Sequence, residues 1–331
     1  MNQTQLYKSF KSTYSSSFVH LTQHSFYFVL FLFTLFYFKN SILSIFTIPI
    51  MSLMNVRTFT IFHDCGHQSF SPSPFINFCI GSIMGIWVMT PVSWSYDHYM
   101  HHLTNGNIEN KYNFNFNLTV FYTKQQFDEF TKFQKIIYIF FRYPFTFFLI
   151  LPPIKFFILN RFDYFLYKFF NKYQYSKSLS CFFLSTLINN VGLFYLCKYL
   201  YFIEILPHYL ASMGLASIFG TILFHNQHTY NPAYVVGNDT WTLINSGLDG
   251  SSFIILPSFL KFFTNGIEYH HIHHMNPRIP GYHLAKYHEY IIKHDPTLFD
   301  DVNYLSIMDC LSNCWLVLYD TQEKNYVPFY H

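Results

Sequence analysis

The stretch FINFCIGSIMGIWVMTPVSW, Phe75 to Trp94, decides the fold. It is close to the roughly 20 apolar residues that a helix needs to cross a bilayer, yet Gly81, Gly85 and Pro91 interrupt it. Before it stands His63-Asp64-Cys65-Gly66-His67, and after it Asp97-His98-Tyr99-Met100-His101-His102. If the stretch crossed a membrane, the two histidine clusters would lie on opposite sides and could not share a site. The spacing of the clusters favours a shared site, so the stretch is expected to dip in or to lie along the interface.

On a helix, His63 and His67 stand at i and i+4, on one face. His98, His101 and His102 stand at i, i+3 and i+4, and the same pattern returns at His270, His273 and His274 within Tyr269-His270-His271-Ile272-His273-His274. Three imidazoles from one helical turn suit a metal, although imidazole alone does not choose among zinc, copper, iron and nickel. A fourth cluster is His225-Asn226-Gln227-His228, so that 11 of the 18 histidines fall in four short segments. His20, His24, His208, His283, His288, His294 and His331 are scattered and need no special role.

The rest of the chain explains how four clusters can meet. Of 331 residues, 51% are hydrophobic, 23% aromatic and only 11% charged, a balance that points to an integral membrane protein rather than a soluble one. Two pairs of apolar runs form helical hairpins, with spans near 24–38 and 41–61, turning at Lys39-Asn40, and near 179–200 and 206–224, turning near Glu204. Each hairpin crosses twice, so every cluster returns to one side. Ile136 to Leu159 is apolar but carries Arg142, Pro144, Pro152, Pro153 and Lys155, which favours an interfacial helix. The reading is therefore one all-α integral membrane domain over 1–331, with four spans, interfacial helices, and a cytosolic helical cap from 95–135 and 225–331 that holds a histidine-rich two-metal site.

Lys8 and Lys11, with no acidic residue in the first 24 positions, place that side in the cytosol. No small-residue cleavage site follows the first run, so a retained helix is expected rather than a signal peptide. The net charge of +3 is dispersed, which excludes a nucleic-acid partner. The six cysteines include no Cys-x-x-Cys pair and read as reduced and structural.

The three patterns H-x3-H, H-x2-HH and H-x2-HH, set between membrane hairpins, resemble the integral-membrane fatty acid desaturase and hydroxylase superfamily. His63 through Phe70, His101-His102-Leu103-Thr104-Asn105-Gly106-Asn107, Gly250-Ser251-Ser252-Phe253, Tyr269 through Pro280 and Asp295-Pro296-Thr297-Leu298-Phe299 resemble its acyl-lipid omega-6 (delta-12) branch. The similarity runs from about Arg57 to the C-terminus. It implies a di-iron site whose ligands fall on His63, His67, His98, His101, His102, His270, His273 and His274, with His228 supplying one more. His225 and His271 are further candidates, for metal or for a place behind the ligands. Asp64, Asp97, Asn226 and Glu268 lie beside the clusters and can accept hydrogen bonds from the outer ring nitrogens, which fixes the tautomer.

Removing hydrogen from an unactivated methylene needs an oxidant that a redox-active metal with open positions makes from O2. Zinc can occupy the same imidazoles without that chemistry. The implied reaction is O2-dependent desaturation of a long-chain acyl lipid held in the membrane, with a lipid hydroxylase as the alternative on the same scaffold. No nucleotide-binding glycine loop or haem module is present, so the electrons are expected from an external donor, cytochrome b5 or ferredoxin. In a eukaryote the membrane would be the endoplasmic reticulum. A metal transporter would carry its ligands within the spans, whereas these follow them.

Overall fold

Helices form where the apolar runs stand. The computed structural model describes residues 9–109, 121–170 and 179–329; Lys8 and His331 lie outside that range. In chain order the helices are α1 Tyr14–Tyr37, α2 Ser44–Gly66, α3 Pro74–Trp87, α4 Trp94–Thr104, α5 Lys124–Asp128, α6 Lys132–Arg142, α7 Leu151–Phe157, α8 Asp163–Phe170, α9 Leu179–Phe202, α10 Leu206–Asn226, α11 Leu243–Leu248, α12 Ser258–Thr264, α13 His270–Met275, α14 Gly281–His294 and α15 Ile307–Asn313. The cap is not purely helical: β1 Phe253–Ile254 pairs in parallel with β2 Tyr304–Leu305, and β3 Leu318–Asp320 pairs antiparallel with β4 Asn325–Val327. These short ladders satisfy extended backbone that no helix covers, and they correct the all-α expectation to a mostly helical one.

Five helical stretches are long and apolar enough to span a membrane: α1, α2, α9, α10 and Phe145–Lys168. The last overlaps Ile136 to Leu159, which was expected to be interfacial. It is broken into a π-helical turn over Phe145–Ile150, then α7, a 3-10 turn over Leu159–Phe162, and α8, because Pro152 and Pro153 cannot continue an upstream hydrogen-bond ladder.

Helix α2 sits centrally and packs on α1, α3, α10 and α12. Its Met51, Met54, Ile61 and Phe62 are almost wholly buried. Asn55 ties three helices together: its Nδ2 donates to Ser212 Oγ on α10 at 3.1 Å, and its Oδ1 accepts from Trp87 Nε1 on α3 at 2.8 Å. At the far end of the bundle the two hairpin turns meet. Lys39 Nζ donates to Glu204 Oε2 at 2.8 Å and to the Ile203 carbonyl at 2.9 Å. Since α2 and α10 both run away from that contact, their histidine-bearing ends lie together at the opposite end.

Helix α3 is the test of the deciding stretch. Its 14 residues reach about 21 Å, short of the roughly 30 Å hydrocarbon core. It ends inside the protein in a Schellman arrangement: Thr90 N–H donates to Gly85 O at 2.7 Å and Met89 N–H to Ile86 O at 3.3 Å, with Met89 at φ +54°. Carbonyls left over at this buried end are taken by side chains from three directions. Asn189 of α9 donates to Gly85 O at 2.9 Å and Thr90 O at 3.1 Å, Tyr209 of α10 to Trp87 O at 2.6 Å, and Asn160 to Met89 O at 3.0 Å. Arg161 also donates to Met89 O, and brings a cation to the negative end of the helix dipole. The chain then turns back, so α4 begins beside α2 rather than across the bundle from it.

Candidate metal centre

That return brings the clusters together. Nine imidazoles form two groups, His63, His67, His98, His102 and His273 in one, and His101, His228, His270 and His274 in the other, with the ligand atoms of each group within 4.8 Å of one another. Each triplet is split between them. His98 and His102 of α4 face the first group while His101 faces the second; on α13, His273 faces the first while His270 and His274 face the second. The i, i+3, i+4 pattern placed the rings on one face, but it does not show that the face straddles two centres.

The nitrogens converge closely. His63 Nε2 is 2.8 Å from His98 Nε2, His98 Nε2 is 3.1 Å from His102 Nε2, and His102 Nε2 is 3.0 Å from His273 Nε2. In the second group, His228 Nε2 is 3.0 Å from His101 Nε2 and 2.9 Å from His270 Nε2. Two nitrogens bound to one ion at about 2.0–2.1 Å and at right angles are about 2.9 Å apart, so the spacing fits an ion at the centre of each group. Hydrogen bonding among neutral rings cannot satisfy all of these nitrogens. His67 Nε2 and both ring nitrogens of His274 are buried without a partner.

Burial keeps the rings neutral, as ligation requires. It holds His98, His101, His102, His270, His273 and His274 well below the usual histidine range, with neighbouring imidazoles adding to the effect. His228 is pulled down to about 4 by burial, against the opposing influence of its bond to Gly250.

Behind these rings, Asp64 and a backbone carbonyl set ring orientation. Asp64 Oδ1 lies 3.4 Å from His63 Nδ1, while its Oδ2 accepts from Gly281 N–H at 2.8 Å, tying α2 to α14. His228 Nδ1–H donates to Gly250 O at 3.0 Å, and Asn105 Nδ2 donates to the same oxygen at 3.0 Å. Sequence reasoning marked the Gly250 motif as a resemblance but not as a partner of His228. The backbone packs closely there, since a Cβ on Gly250 would meet Ser246 O at 2.7 Å. Trp94, stacked on His98 at 4.6 Å and 12°, was also missed.

The remaining candidates act elsewhere among the described residues. Glu268 Oε2 accepts from Thr264 Oγ1 at 2.6 Å, and Asn226 Nδ2 donates to Ile222 O at 2.9 Å. Asp97 is half-buried and bonds to no histidine. His271 is fully buried, not solvent-facing, and lies 3.3 Å from His288. His225 donates from Nε2 to Asn313 O at 3.0 Å. Neither of these two joins a metal group. All six cysteines are free.

Fold and site together define a membrane protein able to hold metal with histidine alone. The chain belongs to the fatty acid desaturase family, whose model matches residues 40–300. It is 28% identical over 278 residues to a fatty acid desaturase of Bacillus subtilis, covering 82% of this chain and 74% of that protein. Shorter similarities include 31% identity over 93 residues to the chloroplastic omega-6 fatty acid desaturase of Arabidopsis thaliana, covering 28% of this chain and 20% of that one. An oleate hydroxylase of Claviceps purpurea is 39% identical over 67 residues, covering 20% of this chain and 14% of its own. The protein is thus an oxidoreductase of the desaturase type.

Proposed function

We propose that this enzyme introduces a cis double bond into a long-chain acyl group carried on a membrane lipid, at the delta-12 (omega-6) or a neighbouring position, using O2 and two iron ions. The observation that carries the reading is the division of nine imidazoles, eight buried and His67 half-buried, into two groups at one end of an apolar bundle. When bound, iron supplies the redox chemistry that activates O2 for attack on an unactivated methylene.

The chain's own residues do the rest. His63, His67, His98, His102 and His273 would hold one ion, and His101, His228, His270 and His274 the other. Asp64 and the Gly250 carbonyl fix two of the rings, and burial excludes bulk water. A cavity of about 320 Å³ between α2, α3, α4 and α9, lined by Phe62, Phe78, Ile86, Phe182 and Ile188 and passing Gly66, suits an acyl segment entering from the bilayer. Its walls are mostly apolar and carry no charged side chain, so they position the chain by shape rather than by charge.

Four spans are the topology that keeps all the clusters on one side. The contact of Lys39 with Glu204 supports this, with Phe145–Lys168 embedded but not crossing. Lys8 and Lys11 favour the cytosol for the histidine end, facing an external donor of cytochrome b5 or ferredoxin type; in a eukaryotic cell this is the endoplasmic reticulum membrane. Iron is the working metal, and zinc in these positions would be an inactive substitute.

The similarity to an oleate hydroxylase supports a second reading, hydroxylation of the same methylene. Expression in a host with a competent donor, followed by mass spectrometry of the fatty acids, separates the two. A new diene supports desaturation, and a hydroxylated chain supports the second reading. Unchanged lipids with iron-loaded protein present would refute both.

A further inference from the structure

His225 is buried beside the centre but serves another element. Its Nε2–H holds the carbonyl of Asn313, the last residue of α15. The inner face of α15 is also fixed: Cys310 packs in a cluster with Tyr230, Ile254 and Leu305, against which Leu223 of α10 is packed. Two contacts therefore set α15 level with residues 223–225, the last turn of an apolar helix long enough to span. An element at that level stands at the boundary between hydrocarbon and headgroups.

The outer face of α15 is divided. At about 100° per residue, Ile307, Leu311 and Met308 fall in one arc, with Ser312 and Asp309 in the arc beside it, and Trp315 stands in the turn just beyond the helix. Met308 is 69% exposed, Leu311 and Trp315 are 53% and Ile307 is 44%; Asp309 and Ser312 are exposed as well. An open apolar arc flanked by a polar one is the pattern of a helix lying in a membrane interface. The surface is continuous with a neighbour of the same kind. Trp315 makes an edge contact with Tyr143 at 6.0 Å, at the end of α6, whose Phe133, Ile136, Ile137 and Phe140 are exposed in helical register. Trp and Tyr together at this level match the aromatic belt of membrane proteins.

We propose that α15 and Trp315 dock the cap onto the lipid bilayer, with Ile307, Met308, Leu311 and Trp315 among the acyl chains and Asp309 and Ser312 towards the headgroups. His225 is a positioning residue for this anchor, not a metal ligand. A second copy of the chain is a poor occupant, because a stable interface takes roughly 20–30 residues a side and this arc offers only a few. The proposal rests on the membrane reading of α10 and not on the reaction catalysed.

The test uses the full-length protein in phosphatidylcholine vesicles, with photoreactive benzoylphenylalanine placed singly at Met308, Leu311, Phe194 and Glu323. Phe194, on the outer face of α9, is the lipid-facing reference, and Glu323 lies in the exposed β3–β4 turn. Lipid adducts at Met308 and Leu311 comparable to those at Phe194, and lost at Glu323, are expected. No lipid adduct at Met308 and Leu311, or chain-to-chain cross-links in its place, overturns the proposal. His225→Ala should lower the adduct yield at Met308 while iron content stays at the wild-type level. Loss of iron in that variant would show His225 to be a ligand and overturn its assignment to the anchor. None of these readouts requires turnover.

Discussion

Single residues divide sharply into those that face the metal groups and those that merely neighbour them. His273 is one of five convergent rings in the first group, and His273→Ala should abolish desaturation and lower bound iron while membrane insertion persists; full activity in that variant would contradict the ligand assignment. Asp64→Asn keeps an acceptor for Gly281 N–H but removes the carboxylate beside His63. It should cost about 10–100-fold in metal affinity or activity, measured by iron competition with a chelator. The nine rings of the two groups were legible, eight because helical spacing and the resemblance point to the same rings, and His228 from the resemblance alone. Gly250 was not, because a backbone carbonyl has no letter of its own, and the sequence cannot say which glycine brings its oxygen to a ring. His271 and His225 show the reverse: adjacency in sequence put them near metal, but the helix turn aims one at His288 and the other at Asn313.

Among the elements, α3 carries the largest consequence. That the chain turns back after it was legible from the flanking histidine clusters, since a shared site requires both to lie at one end of the bundle. The way it stops was not legible, because the residues that cap it, Asn160, Arg161, Asn189 and Tyr209, come from parts of the chain far away in sequence. Asn189→Leu would remove this buried donor from Thr90 O, at about 1–3 kcal/mol for a group left unpaired, while Gly85 O would keep only its bond from Thr90 N–H. The expected result is a lower melting temperature in detergent and poorer iron loading, as α4 loses its register against α2. An unchanged melting temperature would mean that these bonds do not hold the dip. By contrast, Lys39→Ala removes an ion pair whose Glu204 partner is largely exposed and should change stability little.

At the scale of the whole molecule, apolar helices gather at one end a concentration of imidazole whose charged form burial disfavours. His228 is held at about 4, and His98 and His273 are held well below the usual histidine range. With a folded pKa below the unfolded value of about 6.5, the unfolded chain binds protons first as the pH falls. The metal-free protein should therefore keep its full stability above about pH 6.5 and lose it as the pH falls from there towards 4, which melts at stepped pH will show. Stability that rises on acidification would contradict the burial of neutral rings. The central claim is that the nine histidines make two separate metal positions, and elemental analysis of iron per chain tests it most directly. Two iron ions per wild-type chain are expected, and close to one when His270→Ala and His274→Ala together disable the second group. One ion or none in the fully loaded wild type, or two retained in the double variant, would contradict it.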